Sequence, residues 1–161
     1  MSDLAAEVAA LRERLDRVEA ELEIARAMAR YGPAVDSGSA EATAALWADD
    51  GIYDAGISVM SGADAIARMV QTDPHQTYIA GGCAHLVGPP HVTIDGDRAT
   101  AITHSQLLFW NAETQSYRAW RVTANVWEWR REPGGWKVTS RINRPLDGSE
   151  AARALFRDAL A

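Results

Sequence analysis

Cysteine is nearly missing from this 161-residue chain. Cys83 is its one thiol, so no intrachain disulfide can form and folding needs no oxidising compartment. Long apolar runs are missing too, and the N-terminal stretch is charged throughout, so neither a membrane span nor a secretion signal is expected. The expectation is a cytoplasmic protein. Basic charge is in deficit, with 16 Lys and Arg against 22 Asp and Glu for a net charge of −6. That balance argues against a nucleic-acid surface. No CxxC pair, HExxH or EF-hand pattern occurs, and Pro89-Pro90 breaks any fixed ligand spacing among Cys83, His85 and His91. No metal is expected. Neither GxGxxG nor a phosphate-cradling loop occurs, so no nucleotide or other cofactor is expected.

What is present is an ordinary globular composition, 47% hydrophobic and 24% charged, expected to form one domain over 1–161 with a substantial core. From the N-terminus, Leu4, Val8, Leu11, Leu15, Val18 and Leu22 recur at alternating steps of four and three. They predict a helical extension over 1–21, with Ser2 or Asp3 as its cap. The stripe suits either packing on its own domain or an interchain contact. Residues 22–28 continue the helix until Gly32-Pro33, which is expected to disturb it, with Tyr31 and Asp36 at or just past that point.

A second helix is predicted over 39–49 with Ser37 or Ser39 as cap, then a strand from Ile52 to Asp54 and a third helix over 63–71. His75 is expected in a solvated loop after Thr72-Asp73-Pro74. The remainder is strand-rich: Cys83–Val87, Val92–Asp95, Ala99–Trp110, Tyr117–Arg131 and Trp136–Ile142, with Gly96-Asp97 and Gly134-Gly135 at turns. Residues 149–160 predict a terminal helix. Apolar side chains on both faces of the 117–131 strand predict that it is covered on both sides. The expectation is a homodimer or homotrimer, with the sheet giving more of the contact than the first helix.

The run from Leu22 to Asp54, with Tyr31, Asp36 and the segment Leu46-Trp47-Ala48-Asp49-Asp50-Gly51, resembles the SnoaL-like group of the nuclear transport factor 2-like superfamily. His85, Val92–Thr100 and Gly134-Gly135-Trp136-Lys137-Val138 extend the match over roughly 22–142. The resemblance implies an α+β fold, a cone of N-terminal helices on a strongly curved, mostly antiparallel sheet around a deep pocket. It fixes fold better than function, since enzymes, ligand carriers and assembly subunits share it.

Within that resemblance Tyr31, Asp36, His85 and His104 are the catalytic candidates. A histidine near its reference pKa of about 6.5 can take and return a proton, and a carboxylate on its far nitrogen fixes the tautomer. A tyrosine hydroxyl can hold a carbonyl oxygen as charge develops on it. The set is similar to those of scytalone dehydratase and the bile-acid dehydratases. It implies a cofactor-independent dehydratase or isomerase acting on a small cyclic, apolar, aromatic or steroid-like molecule. The alternative is a non-catalytic ligand-binding or assembly subunit. His104 shares a strand face with Ile102, Gln106, Leu108 and Trp110, and is read as a second acid or polar wall. Trp47, Tyr53, Trp110 and Asn125 are the candidate substrate contacts. Asn125 suits a backbone partner at least as well, and most tryptophans suit the core.

Overall fold

The computed structural model describes residues 2–161, with side chains from Leu4 onward. The capping expected of Ser2 or Asp3 lies outside the described side chains. The fold is α+β. Helix α1 spans Ser2–Asp36 and short α2 spans Ala40–Ala44; strands β1 (Trp47–Asp54) and β2 (Val59–Ser61) follow, then α3 (Ala63–Met69) and α4 (His75–Gly81). Strands β3 (Cys83–Val87), β4 (His91–Asp95), β5 (Arg98–Asn111), β6 (Ser116–Glu132) and β7 (Gly135–Pro145) lead to α5 (Glu150–Leu160). The seven strands form one mixed sheet in the order β2-β1-β7-β6-β5-β3, with β4 also paired to β5. Only β1 and β7 run parallel. Among the described residues no helix is long and apolar enough to cross a membrane.

The core forms where α1 meets the sheet. Ala20, Ile24, Met28, Tyr31 and Val35 recur at steps of three and four, which puts them on one helix face. They share one cluster with Ala99 and Ala101 of β5, Trp127 and Trp129 of β6 and Val138 of β7. A column of rings runs through it, Trp129 on Trp127 at 6.1 Å, Trp127 on Trp47 at 6.3 Å and Trp47 on Tyr53 at 5.7 Å. Each fully buried side chain of this size stabilises by about 1.5–3 kcal/mol over leaving it exposed. Glu23 ties the helix to the sheet through the Trp136 amide, 2.9 Å away.

Helix α1 does not stop at Gly32-Pro33; it runs through both to Asp36. Proline lacks an amide hydrogen, but so near the helix end its loss leaves few downstream turns to disrupt. Gly32 serves a close approach instead. A β-carbon there would sit 2.1 Å from the His85 carbonyl oxygen. Helix and strand β3 can touch only because that atom is absent.

Other boundaries also differ. The second helix is only α2, capped by Ser39 Oγ, which accepts from the Ala42 amide at 3.3 Å. Strand β1 begins at Trp47 because residues 46 and 47 pair with Val138, whose amide donates to the Leu46 carbonyl at 2.9 Å. Sheet pairing overrides the local helical pattern there. Strand β2 and helix α4 were not expected from the sequence, and His75 begins α4 rather than lying in a solvated loop. Helix α5 lies against β5, β6 and β7. It supplies, within the chain, part of the cover that the two-faced β6 had implied from another subunit. The heptad stripe does not pack on its own domain: Leu4, Val8, Leu11, Leu15, Val18 and Leu22 are all exposed.

Gly32→Ala separates two opposed effects. Helix propensity alone favours alanine by about 1 kcal/mol, but the clash forces α1 off β3, an overpacking cost of about 2–3 kcal/mol or more. The expected result is a net loss of stability in urea denaturation. A midpoint at or above that of the parent contradicts the close-approach account.

Candidate active site

The last turn of α1 delivers Asp36 to the start of β3. Asp36 Oδ2 accepts from the His85 backbone amide at 2.8 Å, and Oδ1 lies 2.6 Å from His85 Nδ1. Cys83 Sγ donates to the same Oδ1 at 3.6 Å. Burial pushes the Asp36 carboxyl up, but the bonds from the His85 ring and amide, the His85 charge and the Cys83 thiol outweigh it and hold the group below its ordinary value. An ionised carboxylate only accepts, so Nδ1 carries a hydrogen, and in the neutral ring the lone pair is then on Nε2. Among the described residues Nε2 has no hydrogen-bond partner.

His85 lines a cavity of about 180 Å³ between α1, α4, β1 and the inner face of β5–β7. Tyr31, Tyr53, His75, Tyr78, Trp120 and Arg141 also line it. Tyr31 sits edge-on to the His85 ring at 6.5 Å. Burial, then the neighbouring Tyr53, push its phenol above the ordinary value, so it remains a donor at neutral pH. Tyr53 Oη accepts from Asn143 Nδ2 at 2.9 Å.

The structure adds two groups that sequence reasoning missed. His75 stacks on His85 with ring centres 5.2 Å apart and planes 17° from parallel. Its Nε2 donates to the Val35 carbonyl at 3.1 Å. Burial, and then the His85 charge, push His75 below its ordinary value, so it stays neutral beside its neighbour. Arg141 is only 2% exposed. Its guanidinium lies over Tyr31, Tyr53 and Trp127 at 4.3, 4.7 and 4.1 Å. Asn125 Oδ1 accepts from its Nε and Nη2 at 3.0 and 2.9 Å, while Nη1 is buried with no partner among the described residues. Among the described residues no carboxylate pairs with this cation. Simple alternation along β7 puts Arg141 with Asn143 but on the face opposite Val138; the bulge at Thr139 brings all three inward, and the sequence carries no signal of that bulge.

Four expected contacts fall elsewhere. His104 pairs with Ala124 on the opposite sheet face, is exposed, and packs edge-on against Phe156 of α5 at 5.0 Å. The inward positions of β5 are its neighbours Thr103 and Ser105, so the one-residue alternation excludes it from the cavity. Trp47 is in the ring column behind Tyr53, and Trp110 packs on Tyr117 at 5.1 Å. Asn125 is fully buried and holds Arg141 rather than reaching the cavity wall. Trp120, placed by simple alternation on the outer face, reaches the cavity because β6 bulges. Leu107 pairs with Arg121 and Leu108 with Ala119, leaving Trp120 as the extra residue beside Phe109 and Tyr78.

Asp36, Cys83 and His85 offer three donor atoms within 4.8 Å of one another. The set suits a metal poorly. Both Asp36 oxygens already accept from His85, and burial followed by the Asp36 charge pushes the Cys83 thiol up to about 11, keeping it protonated.

Residues 16–142 match the SnoaL-like domain family. The chain belongs to that family. It is 44% identical to an NTF2-like protein with a cystatin-like fold from Novosphingobium aromaticivorans, over 90% of this chain and 94% of that one, with a TM-score of 0.86. A protein of unknown function from Mycobacterium tuberculosis is 20% identical over 93% of this SnoaL-like chain and 89% of its own, with a TM-score of 0.71. The LinA-type3 hexachlorocyclohexane dehydrochlorinase of Novosphingobium barchaimii is 20% identical over 84% and 96%, with a TM-score of 0.68. No curated protein matches the chain.

The buried His75 gives stability a signed pH dependence. Its folded-state pKa is depressed, so the unfolded chain takes up the proton first as pH falls below about 6.5. Stability is full above that value and declines as pH falls toward the folded value. The Asp36 contribution, also from a depressed pKa, is lost only at lower pH, as its carboxylate protonates. Urea midpoints between pH 7.5 and 5.5 are expected to fall for the parent and to fall less for His75→Gln, which can still donate to Val35. Equal slopes contradict this origin.

Proposed function

We propose that this SnoaL-like protein is a cofactor-independent lyase or isomerase in which His85 is the general base. The observation that carries the reading is the 2.6 Å contact of Asp36 with His85 Nδ1 at the wall of an otherwise mainly apolar cavity. It leaves Nε2 as the acceptor for a proton from a substrate carbon. The electron pair of that C–H bond then either forms a double bond as a leaving group departs from the adjacent carbon, or moves onto a carbonyl oxygen as an enolate. Dehydration beside a carbonyl combines the two, the hydroxyl leaving as water on the proton that His85 has taken from carbon. Tyr31 and the unpaired Nη1 of Arg141 are the donors for the negative charge that develops, and the surrounding rings keep that charge out of bulk water.

The cavity supports a substrate of about one ring. An apolar cavity of about 150 Å³ holds a benzene, so about 180 Å³ encloses a six-membered ring with small substituents. A steroid-sized molecule exceeds that volume and would have to extend beyond the cavity. The dehydrochlorinase of the same fold is named for a one-ring apolar substrate and an elimination. At 20% identity it lends the fold, and the residues above carry the chemistry. A cytoplasmic setting suits a chain whose one thiol has no disulfide partner within the chain.

The test is deuterium incorporation, followed by NMR, into six-membered-ring ketones carrying a β-hydroxyl, alongside loss of the hydroxyl. The parent is expected to catalyse exchange, with a rate that falls as the pH is lowered, because a base already holding a proton cannot take one from carbon. His85→Ala and Asp36→Asn are expected to lose about 10²–10⁴-fold in kcat. Arg141→Met is expected to lose about 10²–10³-fold. A rate that is flat through the histidine range, with both dyad variants active, overturns the mechanism.

A further inference from the structure

Helix α1 carries two apolar stripes, and only one has a partner. At about 100° per residue, Ala20, Ile24, Met28, Tyr31 and Val35 lie on one side of the helix. Leu4, Val8, Leu11, Leu15, Val18 and Leu22 lie roughly opposite. The first stripe is buried in the core; the second is 38–67% exposed. It accounts for six of the fifteen exposed large apolar side chains among the described residues. On the domain side, Glu13, Asp16 and Arg17 face the β4–β5 turn and Arg131 instead. The exposed stripe is therefore turned away from its own domain for about 28 Å of helix.

Its heptad register assigns the flanking charges. Leu4, Leu11 and Val18 take the d positions and Val8, Leu15 and Leu22 the a positions. The g positions are then Glu7, Arg14 and Glu21, and the following e positions are Arg12, Glu19 and Arg26. In a parallel, in-register pair each g residue faces the next e residue of the other helix. That gives Glu7 with Arg12, Arg14 with Glu19 and Glu21 with Arg26, every one of opposite sign. In an antiparallel pair g faces g and e faces e. That sets Glu7 against Glu21, Arg14 against Arg14 and Arg12 against Arg12, every one of like sign. All six side chains are exposed, and none makes an ion pair within the described residues.

We propose that residues 4–26 of α1 form a parallel, in-register coiled coil with the same segment of a second copy of this chain. The apolar seam supplies the attraction, and the alternating charges select both the partner and its direction. The pocket plays no part in this contact, so the inference stands apart from the catalytic reading.

The test is disulfide cross-linking of the full-length chain in a Cys83→Ala background. Leu11→Cys is expected to cross-link to itself under mild oxidation, because d positions face each other across a parallel seam. Mixing Leu11→Cys with Leu15→Cys is expected to give little of the mixed product, which an antiparallel pair would favour. Adding Arg14→Glu places like charges at two symmetric sites, and is expected to raise the concentration for half-maximal cross-linking about tenfold. Adding Glu19→Arg to that variant is expected to restore it. Circular dichroism on each variant checks that the helix remains. No Leu11 cross-link, a dominant 11–15 product, or a charge swap without effect and rescue would each overturn the proposal, whatever contact the sheet makes.

Discussion

The structure turns on one carboxylate that holds a single residue twice. Asp36 takes the backbone amide of His85 with one oxygen and its imidazole with the other, so the end of α1 is fastened to β3 where the ring must be aimed. This geometry requires helix and strand to touch, which Gly32 permits by having no side chain. It also requires the helix to pass Pro33 without breaking. The Tyr31 face of the same helix then lies against Trp127 and Arg141. Dyad, donor and cavity wall are thus set by the docking of one helix.

The second constraint is the buried Arg141. A cation removed from water needs compensation, and among the described residues none comes from a carboxylate. Three ring faces and the Asn125 carbonyl supply part of it, while Nη1 remains without an acceptor among the described residues. A buried donor left this way costs about 1–3 kcal/mol, a cost that a substrate oxygen or departing anion would relieve. Asn125 acts here as a positioning residue. It fixes the plane of the guanidinium from behind and has no route to the ligand itself.

Much of this was legible in the sequence, for identifiable reasons. The five long or regular strands and α5 have alternation or periodicity strong enough to survive without tertiary context. Tyr31, Asp36, His85 and Tyr53 were recognised through a spacing shared with the SnoaL-like group. The misreadings occur where local pattern and tertiary pairing disagree. Trp47 belongs to a strand because Val138 holds it there, although the residues before it favour a helix. His104 was judged by its apolar neighbours, but it lies against Phe156 of α5, and alternation fixes which residues share a face without fixing which face is inner. Trp120 changed sides through a bulge that no composition signals. His75 was read as a solvated loop residue and Arg141 was not singled out, because their ring partners lie 10 to 110 positions away along the chain.

The central claim is that Asp36 holds His85 in the tautomer with a hydrogen on Nδ1 and a bare, basic Nε2. Long-range nitrogen–proton correlation NMR on the nitrogen-15-labelled chain reads this directly, through the resonance positions of the two ring nitrogens at neutral pH. The account predicts a protonated Nδ1 and an unprotonated Nε2 in the parent, with that preference lost in Asp36→Asn. A neutral ring protonated on Nε2, or a tautomer unchanged by Asp36→Asn, would contradict it.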